Sequence, residues 1–213
     1  MKVLRIPVLL AISLLFAGAA MAQETPIVEL FGGYTFIHEN LGSGGLPTIP
    51  GVTLPARTTV TSNINGGSGS LAYNVNNWFG MVADFGGSGI STFHASGVGD
   101  LDVSSTLLTY LFGPRISYRK NKTFTPFAQV LVGGAHITDV STHGVTIAKA
   151  ENGFAMTAGG GLDWNVNKRF AVRLAQVEYL LTRFTDPFSL TGASGTQNNV
   201  RVSAGVVIRF GSK

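Results

Sequence analysis

Cysteine is missing from this sequence of 213 residues, and charge is scarce, with 12% of side chains carrying one against roughly 25% in an ordinary soluble domain. Without cysteine there is no disulfide scaffold, no thiolate zinc ribbon and no thiol nucleophile. With so few charges and a positive mean hydropathy, neither a disordered acidic tail nor a nucleic-acid arm fits. Long apolar runs are also lacking. After residue 22 no stretch reaches the roughly 18 consecutive apolar residues of a spanning helix. Glycine, in contrast, is abundant at 28 residues, without a collagen-like period. That argues against a helical bundle, in which each interior glycine costs about 1 kcal/mol relative to alanine. The composition describes one β-rich domain whose greasiness is spread thinly along the chain.

Residues 1–22 read as an address. Lys2 and Arg5 form a positive start, Ile6 to Ala17 an apolar stretch, and Ala20-Met21-Ala22 a small-residue cleavage site before Gln23. This is the order of a cleaved secretory signal, which leaves a single domain over 23–213. No cysteine follows the site, so no lipoprotein anchor is expected.

Beyond residue 25 the hydropathy alternates with a period of two. In Val200–Phe210 one parity reads Val200, Val202, Ala204, Val206, Ile208, Phe210 and the other Arg201, Ser203, Gly205, Val207, Arg209. A strand turns successive side chains to opposite faces, so one face is apolar and the other small and polar. Leu108, Tyr110, Phe112, Ile116 and Tyr118 oppose Thr109, Gly113, Arg115 and Ser117. Phe154, Met156, Ala158, Leu162 and Trp164 oppose Thr157, Gly159, Gly161, Asp163 and Asn165. Further alternating stretches lie at 28–36, 70–75 and 79–85. The segment 124–137 is apolar on both faces, and its phase is open. Within 169–183 the alternation slips near Ala175-Gln176, which reads as a β-bulge. Eight strands are expected.

Short polar connections at Asn76-Asn77, Arg119–Lys122 and Asn167-Lys168 alternate with long Gly-, Ser-, Thr- and Asn-rich segments near 39–62, 91–104, 138–153 and 184–197. Short turns on one side and long loops on the other mark an up-and-down barrel in an outer membrane, where the apolar face meets lipid and the short turns face the periplasm. The expected fold is therefore all-β, an eight-stranded antiparallel up-and-down transmembrane β-barrel. Trp78, Tyr118, Trp164 and Phe170 near the strand ends suit interfacial aromatic girdles. Arg119, Lys120, Lys122, Lys168 and Arg169 are expected in solvated turns or against anionic headgroups. With the positive charges so divided, no nucleic-acid surface is expected.

An eight-stranded interior is just wide enough to be filled by side chains. The inward parity carries Glu29, Asp84, Asp163 and Glu178 (the last only if the bulge is real), with Arg115, Arg173, Arg201 and Arg209. Buried charges must pair or stay hydrated, so equal numbers of each sign point to an ionic network plugging the lumen. The other reading is a narrow gated pore in which a carboxylate exchanges between arginine partners.

On these residues the chain resembles the small eight-stranded outer-membrane barrels of the OmpA transmembrane-domain and OmpX type. The run Gly159-Gly160-Gly161-Leu162-Asp163-Trp164-Asn165-Val166, with Phe170-Ala171-Val172-Arg173 and Gln176-Val177-Glu178-Tyr179 after a tight turn, is similar to that family's penultimate hairpin. Val200–Phe210 is similar to the terminal strand read by the barrel-assembly machinery, although Gly211-Ser212-Lys213 follow it. The resemblance implies a multi-pass protein of the outer membrane of a Gram-negative-type bacterium, with periplasmic termini and extracellular loops. It implies contact with outer-membrane lipids and lipopolysaccharide, and insertion by that machinery. It does not imply one activity, because the fold hosts structural, adhesive and enzymatic members.

Some such barrels modify lipid A with a serine–histidine–acid set near the outer leaflet. His38, His94, His136 and His143 all lie toward the loops, and His136 with Asp139 and Ser141 is a drawable set. Hydroxyl residues are so common in these loops that such neighbours arise by chance, and no enzyme motif is present. The expectation is no catalysis, no cofactor and no metal site, because His136, Asp139 and His143 sit on a loop that does not hold their geometry. A soluble lipocalin-like barrel is the third class. It would need an apolar cavity, which the small, charged inward faces do not supply.

Overall fold

Strand forms over nearly every segment in which the sequence alternates. The computed structural model describes residues 25–40, 60–95, 99–138, 140–142, 145–148, 150–185 and 194–212. Residues 1–22, read as the signal, lie outside the described residues. The strands are β1 (Val28–Asn40), β2 (Val60–Asn74), β3 (Phe79–Ala95), β4 (Gly99–Ser117), β5 (Phe124–Ile137), β6 (Val140–Thr142), β7 (Val145–Ala148), β8 (Glu151–Asn165), β9 (Phe170–Thr185) and β10 (Ser194–Phe210). Among the described residues there is no helix.

Eight of these strands form a closed antiparallel barrel. The order β3-β2-β1-β10-β9-β8-β5-β4 is sealed by the pairing of β3 with β4. Closure satisfies the ladder of every barrel strand on both edges, which a bilayer core demands because it supplies no water to unpaired backbone groups. The small strands β6 and β7 pair with each other, and β6 touches β4 through Ser104 and Ser141.

Three short connections, 75–78, 118–123 and 166–169, lie at one end of the barrel. Each is built on one asparagine that folds its side chain back onto the chain. Asn76 Oδ1 accepts from the amides of Trp78 and Phe79 at 3.0 and 2.8 Å. Asn121 does so for Thr123 and Phe124, and Asn167 for Arg169 and Phe170. Such a side chain stands in for a backbone carbonyl and tightens the turn.

The connections at the other end correct one expectation. The segment 91–104 is not an open loop. β3 and β4 run on as a paired hairpin to Ala95 and Gly99, because alternation persists there and the ladder continues past the lipid-facing stretch. Likewise 138–153 contains β6, β7 and the start of β8, whereas 41–59 and 186–193 fall outside the described residues.

The bulge in β9 is present, one residue earlier than the slip near Ala175-Gln176 suggested. Ser203 pairs with Gln176 and Gly205 with Arg173, so Leu174 and Ala175 together face one residue of β10. Leu174 and Ala175 are exposed, and Arg173 and Gln176 are buried. The bulge therefore turns Glu178 into the barrel. In β5 the open phase resolves with Thr125, Phe127, Gln129 and Leu131 buried and Val130 and Val132 exposed.

The distribution of side chains is inverted relative to a soluble protein. Leu30, Tyr34, Leu71, Met81, Phe85, Phe112, Ile116, Val177 and Ile208 are among many large apolar residues on the outside, and among the described residues buried polar and charged side chains outnumber buried apolar ones. A contiguous exposed apolar band of this size is a membrane surface. Of the aromatics assigned to girdles, Trp78 and Tyr118 are exposed, whereas Trp164 and Phe170 are half-buried. At Gly113 the β4–β5 wall needs the absence of a side chain, because the backbone carbonyl of Val130 and the Cα of Leu131 lie where a Cβ would stand.

Candidate functional site

The lumen holds two storeys. Toward the short turns it is ionic; toward the loops it is mainly apolar, with Thr157, Thr182 and Asn199 buried among the aliphatic side chains. All eight charged residues of the inward parity lie inside, none more than 7% exposed, and they form three linked groups.

Asp163 and Arg173, cross-strand partners on β8 and β9, make a bidentate pair, with Nε to Oδ1 at 2.8 Å and Nη2 to Oδ2 at 3.2 Å. Arg173 also donates to Gln176 Oε1 at 2.6 Å. Its guanidinium lies 4.4 Å from the Phe31 ring centre and 4.3 Å from that of Phe127. A planar cation between π-faces exchanges hydration for the ring quadrupoles.

Arg201 joins two carboxylates from distant strands. Nη1 reaches Asp84 Oδ1 at 2.8 Å and Nε reaches Glu178 Oε2 at 2.8 Å. Glu178 additionally accepts from Gln129 Nε2 at 2.7 Å, and Gln129 Oε1 accepts from Arg115 Nε at 2.9 Å. The amide thus relays between an arginine and a glutamate that do not meet, and sequence reasoning did not single it out. Its parity was visible only once the phase of β5 was known.

Glu29 anchors the third group. Arg209 Nε lies 3.2 Å from Oε1 and Arg115 Nη1 3.7 Å from Oε2. A third cation corrects the expected turn cluster, for Arg119 bends inward and donates from Nη2 to the same Oε1 at 3.1 Å. The signal was available, because Arg119 continues the inward parity of Gly113, Arg115 and Ser117. The balance of four and four accordingly becomes five arginines against four carboxylates among the described residues of the network.

The loop-end storey had no expectation attached to it. Ile37, Ile64, Leu107, Leu111, Leu131, Ala135, Ala155, Leu180 and Phe184 belong to one buried cluster. Ile37 and Ile64 face each other across β1 and β2. A hydroxyl bridge, Ser68–Thr35–Ser203, ties β2, β1 and β10 at 2.7 and 2.9 Å.

The histidine sets fare differently. His136 Nδ1 lies 2.9 Å from Asn152 Oδ1. Asp139, His143 and the side chains of Ser141 and His94 lie outside the described residues, so neither the catalytic set nor the metal set is brought together among those described. His38 is exposed on β1. On the outer surface the hydroxyls of Tyr34 and Tyr179 donate to Asn65 and Asn198, as amphipathic rings do at a lipid–water boundary.

Known proteins agree with this geometry at the level of fold. The attachment invasion locus protein Ail of Yersinia pestis is similar over 87% of this chain and 99% of its own, at 16% identity and TM-score 0.51. OprG of Pseudomonas aeruginosa aligns over 90% and 99%, at 13% identity and TM-score 0.56. Neisserial surface protein A aligns over 85% and 97%, at 12% identity and TM-score 0.54. No curated protein matches the sequence. The family described as outer membrane protein beta-barrel domain matches residues 8–210, and the chain, a closed eight-stranded barrel with an apolar exterior, belongs to that family of Gram-negative outer-membrane proteins.

Proposed function

We propose that this barrel is a structural or surface-interaction protein of the outer membrane, with an occluded lumen, periplasmic termini, extracellular loops and no catalysis. The observation that carries the reading is the filled interior. Five arginines and four carboxylates interlock in one half, and Leu131, Leu180 and their neighbours pack at 0–7% exposure in the other. Ions crossing such a core would have to break buried charge pairs and then enter an apolar layer, and both steps are costly. What remains for interaction is the loop end, where paired strands extend past the apolar band.

Planar-bilayer recording on the refolded protein tests the occlusion, with silence as the expected outcome and resolved single-channel openings as the contrary one. A narrow gated pore is the second reading. It is favoured by Glu29, which lies within reach of three arginines and so has alternative partners to exchange. Protease shaving of whole cells tests orientation and should cut only the loop-end connections. Mass spectrometry of lipid A from expressing cells should show an unchanged acyl pattern; any change there would establish an enzyme.

A further inference from the structure

The arginine surplus is not spread evenly through the lumen. Arg173 is matched by both oxygens of Asp163 and by Gln176, and Arg201 is shared by two carboxylates. At the turn end, three guanidiniums share the single carboxylate of Glu29. Their other partners are neutral: Gln129 for Arg115, Asn74 and the Asn77 carbonyl for Arg119, and Asn165 for Arg209.

Three donors of this group meet no protein acceptor among the described residues. Arg115 Nη2, Arg119 Nε and Arg209 Nη2 are buried there without a hydrogen-bond partner from the chain. Buried polar groups are paired in nearly every native structure, and unpaired donors on charged groups are the costliest to leave. One orphan donor is a local imperfection. Three around one carboxylate, on side chains no more than 7% exposed, describe an incomplete acceptor set.

We propose that the turn end of the lumen binds a compact inorganic oxyanion of the phosphate class, held by Arg115, Arg119 and Arg209. The excess positive charge calls for an anion, and an oxyanion offers several acceptors to converging guanidinium forks without bringing a donor of its own. Arg119 arises from the connection 118–123 and touches the exposed turn at Asn77. The anion thus enters from the short-turn side and does not cross the apolar storey. Glu29 then acts as an internal competitor for the same donors. The site exists whether or not the lumen conducts.

The test uses the refolded full chain in a maltoside detergent free of phospholipid and of phosphate. Inorganic phosphate is titrated at constant ionic strength and read by calorimetry and by phosphorus NMR line width. Unboiled-gel mobility verifies the fold of each variant. Wild type is expected to bind, and Glu29→Gln, which removes the competing charge, to bind about tenfold more tightly. Arg119→Gln and Arg209→Gln are each expected to weaken binding about tenfold or more. Should either fail to fold, Arg119→Lys keeps the charge, deletes the Nε donor and is still expected to weaken binding. Absence of any heat or line broadening in both wild type and Glu29→Gln overturns the proposal, as does binding unchanged in the arginine variants. Binding that appears only after a phosphate-headgroup lipid is added would assign the site to the lipid and overturn the free-anion form.

Discussion

At the turn end of the lumen Arg173 is gripped by both oxygens of Asp163, whereas at the loop end Leu180 and Phe184 belong to the same buried apolar cluster as Ile37 and Ile64. Both halves are enclosed by the same wall, yet they fail in different ways. In the ionic half each charge is tolerable only while its partner is present, so the network is intolerant of single losses and tolerant of paired ones. In the apolar half each side chain contributes by area and fit, so losses scale with the volume removed. The ionic half thus depends on matched partners, and the apolar half on filled volume.

Four experiments would break or sharpen that contrast. Arg201→Met leaves Asp84 and Glu178 facing each other without their shared cation, and it should cost about 3–5 kcal/mol. Urea unfolding followed by the folded band on unboiled gels measures it, and a loss under about 1 kcal/mol would show that the carboxylates are not held by Arg201. Leu180→Ala opens a cavity in the apolar storey and should cost about 3 kcal/mol by the same assay. A cost near zero there would mean that the loop end is loosely filled.

Asn76→Ala removes the oxygen that receives two turn amides and should cost about 1 kcal/mol. Matching values are expected at Asn121 and Asn167, and one outlier would mark a turn held by something else. The smallest effect is expected where the local disruption looks greatest. Replacing Asp163 and Arg173 together by leucine should leave stability within about 1 kcal/mol of wild type, whereas either replacement alone should cost about 3–5 kcal/mol. A double variant as damaged as the singles would mean that the Phe31 and Phe127 rings depend on the Arg173 cation and not only on filled space.

Much of the barrel was legible because lipid and lumen impose opposite demands on neighbouring residues. The parity of Val200–Phe210, of Leu108–Tyr118 and of 154–165 is the parity observed, and the slip in 169–183 is a bulge that places Glu178 where it meets Arg201. The apolar storey escaped notice for a reason internal to the same logic. Where the lumen is mainly apolar, inward positions such as Leu131 and Leu180 are as apolar as their neighbours Val130 and Val132 or Tyr179 and Leu181, and the contrast that marks a face disappears. Arg119 escaped because it sits beyond the end of its strand, where a basic residue ordinarily faces water.

Each strand's alternation, by itself, settles which face meets acyl chains, because that depends only on a side chain's own polarity and on the two-residue repeat of an extended backbone. Partnership could not be settled that way. Asp84 and Arg201 are separated by 117 positions, and Glu29 and Arg209 by 180. They meet because closing the sheet brings first and last strands edge to edge and because tilted strands carry long side chains across the axis. Which charge answers which, and where three arginines outnumber one carboxylate, are consequences of that closure.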